Sequence, residues 1–438
     1  RGDYGVLGLP KPEEIAADIR EKLQGRNSAG YVGALASIAL SESECDHFPK
    51  VYGVYVGISK NHVLDISDDY EDLAERPWFG DNIGSTFELK LRTPEPVAEF
   101  THTRGRRPGV LLGEEVILGD IEDMSASHAS TPSSRSLSKS EGSASDSQYE
   151  DENSDADSED EFEIRSCDCS EDSEEEEGLD DEGEDEPFAW ATFKDVPVIT
   201  TVMEICTGTF YDLIRDHKEP AKHTAWVAQI VFALAYAQRT LGFVHNDLHG
   251  NNVMYVPTDN EFLYYNHAGK CYQIPTYGYL MKIIDFDRAS FSVRLSGMKE
   301  PRHFISSQFQ PKEEAAGQYN VEPFFSQNHP RIPPNPSFDL CRFATSMFWD
   351  MFPEGPNHDS TAHPLFGVFK QWMTQSDGTS VFFREQHDRH DRYHGFDLYK
   401  AIARYCKDSA TPRREIAKLS GFSVATVPVG SKCLFIES

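Results

Sequence analysis

The chain has 438 residues and a formal net charge of −32, of which 23 acidic and one basic residue between Asp146 and Glu186 carry −22. The remainder holds about −10, an ordinary value for a chain of this size, and such a balance disfavours a general polyanion-binding role because phosphate contacts need clustered Lys and Arg. The length suits one two-part enzyme with an insertion, and the 39% apolar content suffices for a large core. No apolar run reaches the roughly 20 residues of a membrane span, so no membrane partner is expected. Eight scattered cysteines point to a reducing, intracellular compartment, with cytoplasm and nucleus left open.

In chain order, 11–24 reads as an amphipathic helix and 29–41 as a second, apolar one. The β-branched and aromatic run at 47–57 reads as a strand, and 85–92 as another. From about Ser125 to Glu186 the composition turns to Ser, Asp and Glu, which cannot bury enough apolar area to offset ordering entropy, so disorder is expected. Serines followed by acids (Ser154, Ser158, Ser170, Ser173) suit acid-directed phosphorylation, and a solvated spacer is favoured over a specific binding role. Cys167 and Cys169 have no matching second pair, which argues against metal there. Order resumes with a buried strand at 196–205, a turn into a helix at GTFYDLI, and a strongly helical 224–240. Two short strands, FVH and NVMYV, flank a polar loop. A hairpin over EFLYYN and CYQIPTYG follows, then the apolar strand YLMKIID, then a helix-rich remainder with FDLCRFATSMFWDMF and FDLYKAIARYC clearest. Strands first and helices later indicate α+β architecture with two unlike halves.

The loop reads His245-Asn246-Asp247-Leu248-His249-Gly250-Asn251-Asn252, and Asp285-Phe286-Asp287 ends the apolar strand 33 residues after Asn252. Carboxylate and amide oxygens are hard ligands that suit Mg²⁺. Phosphoryl transfer needs a metal on phosphate oxygens and a carboxylate that orients the acceptor hydroxyl and takes its proton. An isolated Asp-x₄-Asn is common; the paired IIDFD motif gives this one its weight.

HNDLHGNN with IIDFD resembles the protein-kinase catalytic loop and its metal-binding partner. The wider chain, through YYN…CYQIPTYGYLMKIIDFDRA, EAAGQYNVEPFF and PNPSFDLCRFATS, is similar to divergent protein kinases of nucleocytoplasmic large DNA viruses, well over 188–405 and weakly over 45–60. The resemblance implies a two-lobed fold: a partial, atypical or truncated β-rich small lobe in 1–120, a disordered insert at 121–187, the last small-lobe strand and hinge at 188–205, a helical large lobe at 206–420, and a tail at 421–438. It implies ATP- and Mg²⁺-dependent transfer to Ser or Thr of protein substrates. Asp247 would be the catalytic base, with His249 and Asn252 beside it. Asn252 and Asp285 would hold the metal, His245 and Asp339 would be structural, and Glu204 would lie in the nucleotide-binding hinge. Gly2 and Gly5 would be the tail of a glycine-rich loop. Arg1, rather than Met, begins the sequence; either the missing pieces of that lobe lie upstream of it, or the nucleotide is held differently.

Departures accompany the resemblance. Asn246 replaces the usual Arg that grips a phosphorylated activation loop. His249 stands where a Lys often touches the transferred phosphate, and Asp287 replaces a hinge Gly. No strand lysine is evident; Lys22 has the spacing but lies in a helical pattern. Without the resemblance, Asp339 reads as a helix N-cap. His387, His390 and His394 read as a solvated loop rather than a metal site. The aromatics of 262–279 read as strand packing, so no direct nucleic-acid partner is expected, while the acidic insert offers a surface for basic proteins. Two further functions fit the same loop: a choline- or aminoglycoside-type small-molecule kinase, and a pseudokinase scaffold.

Overall fold

The computed structural model describes residues 27–67, 70–74, 76–92, 160–165, 188–356, 363–384, 392–393 and 395–436. The expected helix at 11–24, Gly2, Gly5, Lys22, the Cys167/Cys169 pair and His387, His390 and His394 lie outside these residues.

Helix α1 (Ala29–Ser41) matches its expected bounds. Strand β1 (Val51–Asp65) is followed by two short helices, α2 (Tyr70–Ala74) and α3 (Pro77–Asn82), and by β2 (Phe87–Leu91). Strand β3 (Ala189–Met203) pairs antiparallel with β1 from Val51 opposite Met203 to Asp65 opposite Trp190, and with β2 on its other edge. The expectation began this strand at 196; the ladder carries it seven residues further back, across Lys194 and Asp195, because β1 is long enough to pair there. Cross-strand pairing has overridden a polar break.

After β4 (Gly208–Thr209) comes α4 (Phe210–Asp216), held by a capping box between Thr209 and Asp212. Helix α5 (Pro220–Leu241) begins with Pro in its first turn and ends at Gly242 in the left-handed region (φ 59°). Its residues from Ala225 to Ala237 are buried without a polar face, so it is the axis of the main core rather than a surface helix. FVH, expected as a strand, contributes only an isolated bridge from Val244 to Ser290.

Strands β5 (Val253–Pro257) and β8 (Tyr279–Ile283) pair antiparallel and form a three-stranded sheet with β4. Between them, β6 (Phe262–His267) and β7 (Lys270–Pro275) make the expected hairpin, turning at Ala268 and Gly269, both at positive φ, as a two-residue turn of the twist-matching kind requires. The hairpin is extended by β11 (Ser423–Val424) and by β12 (Cys433–Phe435), the latter parallel to β6. A two-stranded ribbon, β9 (Ser290–Val293) with β10 (Arg302–Ile305), follows β8. The remainder is helical: α6 (Phe338–Met351), α7 (Pro364–Trp372), α8 (Phe396–Tyr405) and the short α9 (Pro412–Glu415).

The architecture is α+β, with several small antiparallel sheets and a helix-rich second half. One large apolar core surrounds α5, and a small satellite (Phe79, Phe87, Ala191) lies on the β1–β3–β2 sheet. Among the described residues no helix is long and apolar enough to cross a membrane. Glu161 to Arg165, inside the stretch expected to be disordered, pack against the helical half; Phe162 and Ile164 join the edge of its core. For these residues the expectation of disorder fails, because two apolar side chains find a surface that composition averaged over the acidic run conceals.

Candidate functional site

The topology itself brings the loop and the DFD segment together. In the β5–β8 pair Val253 lies opposite Ile283, so the residue before β5 and the residues after β8 emerge at one sheet end. There Ile284 N–H donates to the Asn252 carbonyl at 3.0 Å. The Asn252 amide donates to the Asp247 carbonyl at 3.0 Å, which closes the loop on itself. His245, fully buried, has Nε2 2.8 Å from the Ile284 carbonyl and Nδ1 3.3 Å from Asp247 N. A carbonyl can only accept, so Nε2 carries the proton and Nδ1 accepts from the Asp247 N–H.

Asp339 completes this frame. Its two carboxylate oxygens accept the backbone N–H groups of His245 and Asn246, each at 3.0 Å, in full burial. The helix N-cap reading is therefore wrong: Ser337 occupies the cap position, and Asp339 lies two residues further on, within the first turn, with its carboxylate turned to the loop. Burial pushes this carboxyl up to about 6, against the opposing pull of His245 and the two N–H groups.

Asn246 does structural work that a longer cation at this position would not. It adopts φ 67°, a region Asn tolerates better than most residues. Its amide donates to the Arg288 carbonyl at 2.8 Å and its oxygen accepts from Tyr319 Oη at 2.7 Å. The loop is thereby tied both to the DFD segment and to the stretch around Tyr319.

Asp247 is positioned by two side chains that sequence reasoning missed. Tyr399 Oη donates to its Oδ1 at 2.7 Å, and Arg288 Nη1 lies 3.4 Å from Oδ2. Burial alone would raise the Asp247 carboxyl, but Arg288, the Tyr399 hydroxyl and nearby His249 outweigh it and hold the group below the usual carboxylate range, ionised at neutral pH. Arg288 follows the DFD motif directly and was within reach of a sequence argument; Tyr399 is 152 residues away and carried no local signal. Arg288 also takes Gln308 Oε1 at 2.8 Å and contacts Glu314, anchoring the following segment.

His249 lies half-buried beside Asp247. Burial dominates and lowers it, with Asp247 opposing, so it is neutral at pH 7 and retains one N–H donor. Asp285 has φ 64°, a strained region for a non-glycine residue, and is held there by its neighbour Phe286, buried among Phe48, Phe243 and His245. Among the described residues nothing donates to the Asp285 carboxylate or to Asn252 Oδ1. Two hard oxygen donors left without protein partners at one sheet end fit Mg²⁺.

Asp287 packs against α1, where a Cβ on Gly33 would overlap its carboxylate. The surrounding protein and then the Asp285 charge push it up to about 7. Asp287 is exposed on its far side, with Gly33 of α1 against its carboxylate.

Glu204, expected at a nucleotide site, is engaged by two lysines. It follows β3, and its Oε2 receives Lys282 Nζ at 2.9 Å and Lys50 N–H at 3.2 Å. Burial would raise it, yet Lys282 and Lys50 outweigh that and hold it low. Lys282 is itself buried, so the pair fastens β8 to the end of β3.

No family model matches the chain. A stretch of 80 residues is 34% identical to ZK177.2 of Caenorhabditis elegans, a protein described as uncharacterised, and this match takes in 18% of the chain and 25% of that protein.

Proposed function

We propose that the chain is a two-lobed, protein-kinase-like phosphotransferase that moves the terminal phosphoryl group of ATP to Ser or Thr hydroxyls of protein substrates. The observation that carries this reading is the convergence of Asp247, Asn252 and Asp285 at one sheet end, with the Asp285 carboxylate and Asn252 Oδ1 unpartnered and Asp247 held ionised. The β1–β3–β2 sheet with α1 would be the small lobe, and the elements from α4 onward the large one.

In this reading Asn252 Oδ1 and the Asp285 carboxylate would hold Mg²⁺, which would supply charge neutralisation at the phosphate oxygens. The Asp247 carboxylate orients the acceptor hydroxyl and accepts its proton. To do so it exchanges the Tyr399 hydrogen bond for one from the acceptor, while Arg288 keeps it ionised until transfer. Neutral His249 donates its remaining N–H to the transferred group. Asp339 and His245 fix the loop backbone, so the carboxylate meets the acceptor preorganised.

A non-transferring scaffold is the second reading. It is favoured by the commitment of buried Lys282 to Glu204, which leaves that ammonium unavailable to a phosphate. Transfer from radiolabelled ATP to a generic basic protein distinguishes the two. Label transfer that Asp247→Ala abolishes supports the enzyme. Transfer only to choline-like or aminoglycoside-like alcohols sinks the protein-substrate assignment, and no transfer with no Mg·ATP-dependent thermal shift leaves the scaffold. Asp285→Asn should remove that metal-dependent shift.

A further inference from the structure

Within a chain of net charge −32, one surface of the helical half gathers basic groups: Arg331, Lys400, Arg404 and Lys407 stand around a groove between α8 and residues 312–332. Residues 160–165 (Asp-Glu-Phe-Glu-Ile-Arg) lie in it. Phe162 stacks on His329 with ring centroids 4.0 Å apart and planes 16° from parallel. Arg404 donates one guanidinium nitrogen to the Phe162 carbonyl at 2.5 Å and another to the Gly317 carbonyl at 3.1 Å. Lys400 Nζ reaches the Glu163 carbonyl at 3.3 Å, Lys312 N–H donates to Glu161 Oε1 at 2.8 Å, and Arg165 N–H donates to Asp397. Gly317, at φ 78°, lets the two backbones approach: a Cβ there would overlap the Glu161 carbonyl.

These contacts have the character of a recognised short peptide. Main-chain carbonyls are read by cations, one aromatic anchor is stacked, and one acidic side chain is capped by a backbone N–H. Beside Phe162 and Glu163 the groove widens into a cavity of about 620 Å³ lined also by Arg331 and Lys407, which leaves room for further acidic residues. The groove is coupled to the loop by its own walls. Helix α8 carries Lys400 and Arg404 on the groove and Tyr399 on Asp247, and the Gly317 stretch leads to Tyr319 on Asn246.

We propose that this groove is a docking site for acidic-aromatic peptide segments and that residues 160–165 occupy it in cis, as a tethered ligand which a partner protein's acidic-aromatic segment displaces. Tethering gives an effective concentration on the order of 1 mM, so a peptide whose intrinsic Kd is roughly 10–100 µM is weakened about 10- to 100-fold by the cis occupant. The proposal requires no transfer activity and stands or falls apart from the enzyme reading.

Fluorescence anisotropy with a labelled peptide of residues 158–166 tests it on the full chain. The chain carrying Phe162→Ala and Glu161→Ala should bind the peptide at least 10-fold more tightly than the intact chain, and adding Arg404→Ala should remove that binding. Hydrogen exchange keeps the test decisive if the opened chain is unstable: excess peptide added to the intact chain should accelerate exchange of the 160–165 amides, and a Phe→Ala peptide should not. Equal binding by intact and opened chains overturns the proposal, as does a folded opened chain that binds nothing or 160–165 exchange indifferent to peptide.

Discussion

Stability should fall steeply in mild acid, and His47 should be responsible for a separable part of the loss. His47 is buried, with Nδ1 2.8 Å from the Met281 carbonyl and Nε2 2.7 Å from Tyr265 Oη. The carbonyl takes the Nδ1 proton, so Nε2 must accept from Tyr265, and the neutral ring satisfies both contacts. Protonation would place a second donor against the hydroxyl in an apolar surround. Burial accordingly lowers the group from 6.5 to about 4. The unfolded chain binds this proton below about 6.5 and the native chain only below about 4, so stability is complete above the upper value and is lost as pH falls towards the lower. Between pH 7 and pH 4.5 those two values give a loss of roughly 2–3 kcal/mol from this residue. His47→Gln cannot titrate and should lose that much less over the same interval, although its stability at pH 7 should itself be lower by about 1–3 kcal/mol from the disturbed bonds. Urea unfolding at several pH values measures both slopes. His223 and His363, also held low by burial, remain in both proteins and cancel in the comparison. Parallel pH profiles for the two proteins would refute the reasoning. The consequence reaches the site, because the His47 carbonyl also accepts Ile283 N–H at 2.9 Å, at the strand end that delivers Asp285.

Gly33→Ala should destabilise the chain by about 1–3 kcal/mol, since the new methyl displaces the Asp287 carboxylate, and Asp287→Gly should relieve most of that cost; thermal melts of the single and double variants decide it. Arg288→Gln should raise the Asp247 pKa towards the ordinary carboxylate range, shifting the acidic limb of a transfer pH profile upward, and should speed hydrogen exchange at 307–318; an unmoved limb would separate Arg288 from Asp247. Asp339→Asn presents an amide donor to one of two backbone N–H groups, so the loop should shift and turnover fall roughly 100-fold with little change in the KM for ATP, and a twofold effect would dissociate Asp339 from positioning.

The parts of this molecule legible in its sequence are those specified by local pattern. Helix α1, the β6–β7 hairpin, β8 and the helices α6 and α8 follow from periodicity and turn residues read one segment at a time. The approach of Asn252 to Asp285 was legible too, because one apolar strand begins just after a polar motif and the other ends in one, so antiparallel pairing of the two puts both motifs at one sheet end. What escaped depends on partners far away in the chain. Tyr399 reaches Asp247 only through the packing of α8, and the early start of β3 depends on the length of β1. Phe162 is one of two aromatic residues in an acidic run, and its ordering depends on His329 and Arg404, which no local window contains. Glu204 was assigned to a hinge through the resemblance of its segment, while its partner in the structure, Lys282, is set by the register of β8.

Under the resemblance to protein kinases, Asn246 stands where an Arg is expected, which suggested a segment with no cationic anchor. Arg288 changes that inference. It is largely buried, joins the Asp247 carboxylate on one side and bonds Gln308 on the other, and touches Glu314 at the surface. The exposed contact with Glu314 adds little by itself, since surface ion pairs are worth about 0–1 kcal/mol. The inner bonds matter more, because Gln308 and Asp247 need no modification to be in place. Asn246, freed from carrying a charge, fills the interior with two satisfied hydrogen bonds, to the Arg288 carbonyl and to Tyr319. Loop and segment thus hold each other through uncharged hydrogen bonds and the Arg288–Asp247 pair. A phosphate added to the segment would meet an arginine already engaged by Asp247, and would compete for the cation that keeps that carboxylate ionised.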